Sequence, residues 1–125
     1  MNLLLVGVGG FIGSIGRYVL AGAIHQVLHS AAFPYGTMVV NIVGCFVLGY
    51  LNGLAETRQM LSPELRLFLL IGLLGGFTTF STFGYETMAL LRDSQIGAAL
   101  ANVLVQVTVG LLCVWLGYSL VTRYL

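Results

Sequence analysis

The chain of 125 residues is 58% hydrophobic and only 7% charged, with a formal net charge of +1 and a mean hydropathy of +1.00. Soluble domains carry about a quarter of their residues as charges, so this composition excludes one, and no basic tract is present to engage a nucleic acid. The apolar residues come in long runs rather than in the alternation of a membrane β-barrel, which predicts an all-α membrane protein: a single four-span domain over residues 1–125.

Crossing roughly 30 Å of hydrocarbon takes about 20 helical residues, and the runs at about 2–27, 36–56, 64–91 and 96–122 are long enough. Turn and charge signals separate them at His29 to Gly36, Glu56 to Glu64 and Arg92 to Ser94. The first span is too long for a signal peptide, no basic residue precedes it, and its first charge, Arg17, lies well inside it. Arg17 reads two ways: snorkelling to the headgroups, or as a permanent positive charge in an aqueous vestibule that attracts anions. In GGFIGSIGR, Gly9 and Gly13 form a small-xxx-small face, a spacing repeated at Gly49/Gly53 and Gly72/Gly76, so tight helix contacts are expected. His25 and His29 are four apart and without a third ligand nearby, which favours an interfacial pair over a metal site.

In the second span Asn41 lies about one and a half turns in, where its amide can donate to an anion or bond to another helix. Cys45 here and Cys113 in the fourth span fall mid-span without C-x-x-C spacing and read as small apolar packing. Ser62-Pro63-Glu64 reads as a helix start, with Ser62 as N-cap and Pro63 at the first helical position.

The third span contains GGFTTFSTFGYE, Gly75 to Glu86. The glycine pair is a poor helix former, and Thr78, Thr79, Ser81 and Thr82 can bond local backbone, so a break near mid-span is expected between about 74 and 80. Non-helical backbone at membrane depth must be buried in protein or line a cavity, where its freed carbonyls can bind ions. Phe77, Phe80 and Phe83 are either packing or ring edges, electropositive by their quadrupole, turned toward an anion. On the fourth span Asn102 and Gln106 share a face with Gly110, which reads as a donor pathway or as a hydrogen-bonded seam.

With the amino terminus inside, Arg58, Arg66 and Arg123 would be cytoplasmic and Arg92 external, a weak bias that permits insertion both ways up. Without lysine there is no phosphate-loop lysine, and neither HExxH nor G-x-S-x-G occurs, so the sequence reads as a non-enzyme.

Three motifs, GxxGxxxR ending at Arg17, PxGTxxVNxxG from Pro34 to Gly44 and GxxGGxTTFSTFxxE from Gly72 to Glu86, resemble the Fluc/CrcB family of fluoride channels over nearly the whole chain. The resemblance implies a passive, fluoride-selective exporter in the bacterial cytoplasmic (inner) membrane: an antiparallel, dual-topology homodimer of four-helix subunits with two pores. It implies that Asn41, Phe80 and Phe83 line the pore, that Ser81 and Thr82 belong to a polar track beside it, and that Arg17 and Glu86 lie at a vestibule. It also implies a structural sodium ion at the dimer interface, held by the backbone carbonyls of Gly75 and Thr78. Asn102 and Gln106 stand on the fourth-span polar track where family members often carry hydroxyl groups. Two alternatives remain at this point. A proton-coupled exporter of the small multidrug-resistance type needs a membrane carboxylate, but the first span carries Arg17 and no acid. A non-transporting assembly subunit would have no use for the cluster of aromatic and hydroxyl groups.

Overall fold

The computed structural model describes residues 1–29 and 32–125, and the regular structure among them is entirely helical. The expected turn from His29 to Gly36 includes two residues outside that description. Helix α1 spans Asn2–Leu28 and α2 spans Tyr35–Thr57. The third run begins as α3 (Pro63–Arg66), widens into a π-helical stretch over Leu67–Leu74, and continues as α4 (Gly75–Phe77). After Thr78 and Thr79 come α5 (Phe80–Arg92) and α6 (Ile96–Tyr124). The four runs Asn2–Leu28, Tyr35–Thr57, Pro63–Arg92 and Ile96–Tyr124 are long and apolar enough to cross a membrane.

The helix ends follow their local chemistry. The Ser62 hydroxyl accepts from the Leu65 N–H at 3.2 Å with Pro63 in the first turn, so α3 starts where the sequence places a cap. At the far end of α1, His29 turns left-handed (φ 46°) and its N–H donates to the His25 carbonyl at 3.2 Å. Thr79 caps α5 by accepting from the Thr82 N–H at 3.2 Å.

Glycines set the packing. Helix α1 lies on the π-helical stretch and α4, while α2 lies on α6. A Cβ on Gly9 would come within 2.5 Å of the Phe68 carbonyl oxygen, one on Gly76 within 2.5 Å of the Gly10 carbonyl, and one on Gly13 would overlap the Leu73 carbonyl. The α1 glycines therefore meet the Gly72/Gly76 pair backbone to backbone. On the other seam Gly49 lies against Val114 and Gly117 against Phe46, again closer than a side chain permits.

The molecule is thin. Val40, Val121 and Asn102 are the largest fully buried side chains, so an amide sits at the centre of the packing. Phe11, Phe80, Tyr85 and Trp115 are all more than half exposed, a surface suited to lipid or another protein rather than water. Helix α5 packs more sparsely than the other long helices, chiefly against α6.

Candidate functional site

The irregular backbone lies one turn beyond the glycine pair. Gly75 is itself helical (φ −62°, ψ −37°), whereas Thr78 (φ −81°, ψ 157°) and Thr79 (φ −152°, ψ 110°) are extended. Thr78 still closes the preceding turn, its N–H and its hydroxyl both donating to the Leu74 carbonyl at 3.0 Å. Thr79 does not. Its N–H donates to Asn41 Oδ1 at 2.9 Å, and its carbonyl accepts from Asn41 Nδ2 at 3.2 Å. One side-chain amide thus satisfies both backbone groups of an extended residue, as a neighbouring strand would, and the cost of leaving them bare in an apolar medium is avoided. In turn the Gly75 carbonyl loses the i+4 donor a continuous helix would give it, because that donor is the Thr79 N–H.

From Asn41 the bonds run across the molecule. Its Nδ2 also donates to Gln106 Oε1 at 2.8 Å, Gln106 Nε2 donates to Asn102 Oδ1 at 2.8 Å, and Asn102 Nδ2 donates to Thr87 Oγ1 at 2.9 Å. The Thr87 hydroxyl ends the chain on the Phe83 carbonyl at 2.8 Å. Helices α2, α6 and α5 are joined by this one directional relay.

Two cavities open on either side of Thr79, which lines both. The first, of about 350 Å³, is walled by Asn41, Gln106, Thr78, Phe80 and Phe83 among apolar side chains. The Phe80 and Phe83 rings stand 5.5 Å apart between centroids at 49°, a tilted aromatic pair. The second, of about 510 Å³, is walled by Arg17, His25, Thr37, Thr82 and Glu86. Arg17 turns inward rather than toward the headgroups: its Nη1 lies 3.5 Å from the Thr78 carbonyl oxygen. Glu86 Oε1 accepts from the Thr37 hydroxyl at 2.8 Å, while Oε2 is buried without a hydrogen-bond partner. Around Thr79 the hydroxyls cluster, with Thr82 Oγ1 at 2.9 Å and Ser81 Oγ at 3.4 Å from its Oγ1. One cavity therefore offers aromatic rings and two amides, and the other a permanent cation together with a carboxylate and hydroxyls.

Of the sequence-predicted residues, all but Ser81 and Asn102 line one of the two cavities. Asn102 is fully buried and accepts from Gln106, and Ser81 Oγ lies 3.4 Å from Thr79 Oγ1. Thr37 and Thr87 were not assigned roles from the sequence, and Thr79 was expected only to bond local backbone, as its hydroxyl does at the Thr82 N–H. Thr37 had a signal, standing one helical turn before Asn41; Thr87 had none. Among the described residues no cluster of three or more His, Cys, Asp or Glu side chains is placed to hold a metal, and Cys45 and Cys113 are free thiols. The carbonyl of Gly75, lacking its helical donor, and that of Thr78, approached by Arg17 only at 3.5 Å, are hard oxygen donors of the type a hard cation takes.

Residues 4–118 match the family described as CrcB-like protein, Camphor Resistance (CrcB). A protein of Methylobacillus flagellatus is 46% identical over 120 residues, covering 96% of this chain and 94% of its own. One from Trichlorobacter lovleyi is 51% identical over 105 residues (84% and 83%), and one from Geotalea daltonii is 43% identical over 124 (99% and 98%). Each of the three is named a fluoride-specific ion channel FluC.

Proposed function

This chain belongs to the CrcB-like family and is a multi-pass integral membrane protein, and on that footing we propose that it is a passive fluoride-selective channel exporting fluoride across the bacterial inner membrane. The observation that carries this is the wall of the smaller cavity, where the Phe80 and Phe83 rings stand beside amides at a two-residue stretch of extended backbone. Fluoride leaves water only where replacement donors follow it along the path, and it must be held weakly enough to move on. Ring edges, amide N–H groups and hydroxyls give partial positive charge without a fixed counter-ion that would trap it. Asn41, Phe80, Phe83 and Gln106 form the pore wall in this reading, Ser81 and Thr82 its polar flank, and Asn102 a support. The vestibule holds Arg17 as the collecting charge, with Glu86 beside it.

The same reading makes the working unit an antiparallel, dual-topology homodimer with two pores. Phe80 is 83% exposed in a single chain although it borders the aromatic cavity, so a second copy is needed to close the wall on that side. The weak arginine asymmetry between the two faces permits both orientations. The carbonyls of Gly75 and Thr78 from each of two copies would hold a structural sodium ion on the dimer axis. Such an ion neutralises carbonyl dipoles that no backbone donor satisfies and ties the two chains at the interruption.

Expression in a bacterium deprived of its own fluoride exporter tests the reading. Growth in millimolar fluoride should be restored by the wild-type chain and not by Phe83→Ile; failure of the wild-type chain, present in the membrane, would refute it.

A further inference from the structure

The relay of amides has a polarity, and one backbone residue sets it. Thr79 shows an N–H and a carbonyl to the same side chain, so Asn41 fits one way only, Oδ1 to the N–H at 2.9 Å and Nδ2 to the carbonyl at 3.2 Å. The flipped amide would oppose donor to donor and acceptor to acceptor. The second Nδ2 hydrogen then requires an acceptor, which commits Gln106 Oε1 at 2.8 Å and leaves Nε2 to face Asn102 Oδ1 at 2.8 Å. Asn102 in turn presents Nδ2 to Thr87 at 2.9 Å. The orientation of all three amides, ordinarily a choice between similar atoms, follows from the extended backbone at Thr79.

A count of hydrogens has a consequence for the cavity. Asn41 Nδ2 carries two, and both are used, one on Thr79 and one on Gln106. Gln106 Nε2 carries two and gives one to Asn102. Asn102 is fully buried, whereas Gln106 stands on the cavity wall with Phe80 and Phe83. Accepting a hydrogen bond at Oε1 also polarises the Gln106 amide and makes its remaining N–H a stronger donor.

We propose that Gln106, not Asn41, is the amide that donates to the anion in the aromatic cavity, with Asn41 as scaffold and Asn102 as a positioning residue that aims Gln106. The assignment rests on the fluoride-channel reading above, and the test separates the two. Full-length protein in liposomes, with fluoride efflux followed by an ion-selective electrode, should lose about tenfold or more of its rate in Gln106→Met, as expected for a lost hydrogen bond to a charged group. In the folded wild-type protein labelled with ¹⁵N at its glutamine and asparagine side-chain amides, sodium fluoride should shift the one slowly exchanging glutamine amide and sodium chloride should not. Gln26, Gln59 and Gln95, in the last turn of α1 or between helices, should stay still. The shift should vanish in Asn102→Ala. It should return in Asn102→Asp, which when protonated in that buried place still accepts from Gln106 and donates to Thr87.

Full efflux from Gln106→Met, or a fluoride shift at an asparagine amide with none at glutamine, would overturn the assignment while leaving the channel intact. A shift that survives in Asn102→Ala would remove the positioning role. Wild-type protein inert toward fluoride would sink the channel reading and this assignment together.

Discussion

Gly13 of α1 lies so close to Leu73 that a Cβ at position 13 would overlap the Leu73 carbonyl. Leu73 belongs to the π-helical stretch, whose wider turns bring backbone rather than side chains against the glycine face of α1. Gly13→Ala should therefore destabilise the protein by about 1 to 3 kcal/mol through overpacking. Gly22→Ala, on the same helix with nothing within 4 Å, should be neutral or stabilising by up to about 1 kcal/mol, from helix propensity. Thermal unfolding in mild detergent compares the two.

Replacing Asn41 removes the partner of both Thr79 backbone groups. Asn41→Leu should cost about 1 to 3 kcal/mol for each buried group left unpaired, and fluoride flux should fall with it. Asn41→Asp keeps an acceptor for the Thr79 N–H but, when ionised, sets oxygen against the Thr79 carbonyl and Gln106 Oε1. It should not recover flux at neutral pH. Melting and efflux measured on the same preparations check both.

The aromatic pair should be separable from packing. Phe80 is largely exposed in one chain, so Phe80→Ile removes little intramolecular contact, and any loss of flux reports the ring edge. Phe80→Ile and Phe83→Ile should each cut efflux about tenfold or more while size-exclusion profiles stay unchanged. Normal flux in both would return the rings to a packing role.

Thr37 is the only hydrogen-bond partner of the Glu86 carboxylate among the described residues, and Oε2 already has none. Thr37→Val should leave the carboxylate without its donor and free it to approach Arg17 across the larger cavity, lowering flux severalfold; Thr37→Ser should restore it. Efflux from liposomes of the three proteins decides the point.

The membrane helices were legible because apolar runs of about 20 residues admit little else, and the runs Asn2–Leu28, Tyr35–Thr57, Pro63–Arg92 and Ile96–Tyr124 begin and end within two residues of those read from the sequence. The glycine pairs announced close helix contacts but not their partners. The π-helical stretch was hidden: LFLLIGLL carries no local mark, and its widened turns lie where the α1 backbone approaches. Within the site, polar residues inside apolar spans stood out, but their bonding did not. Asn41 and Thr79 are 38 positions apart, and only the tertiary fold brings that amide to that backbone. The Asn102/Gln106 stripe was visible as a spacing, yet its two members differ, one buried and one on the cavity wall, because α6 turns Asn102 toward Thr87.

The central claim is tested most directly by halide release from liposomes containing the purified protein. Vesicles loaded with fluoride should empty rapidly with no energy source beyond the gradient, and vesicles loaded with chloride should retain their contents. Retention of fluoride, or release of chloride at an equal rate, would contradict the account.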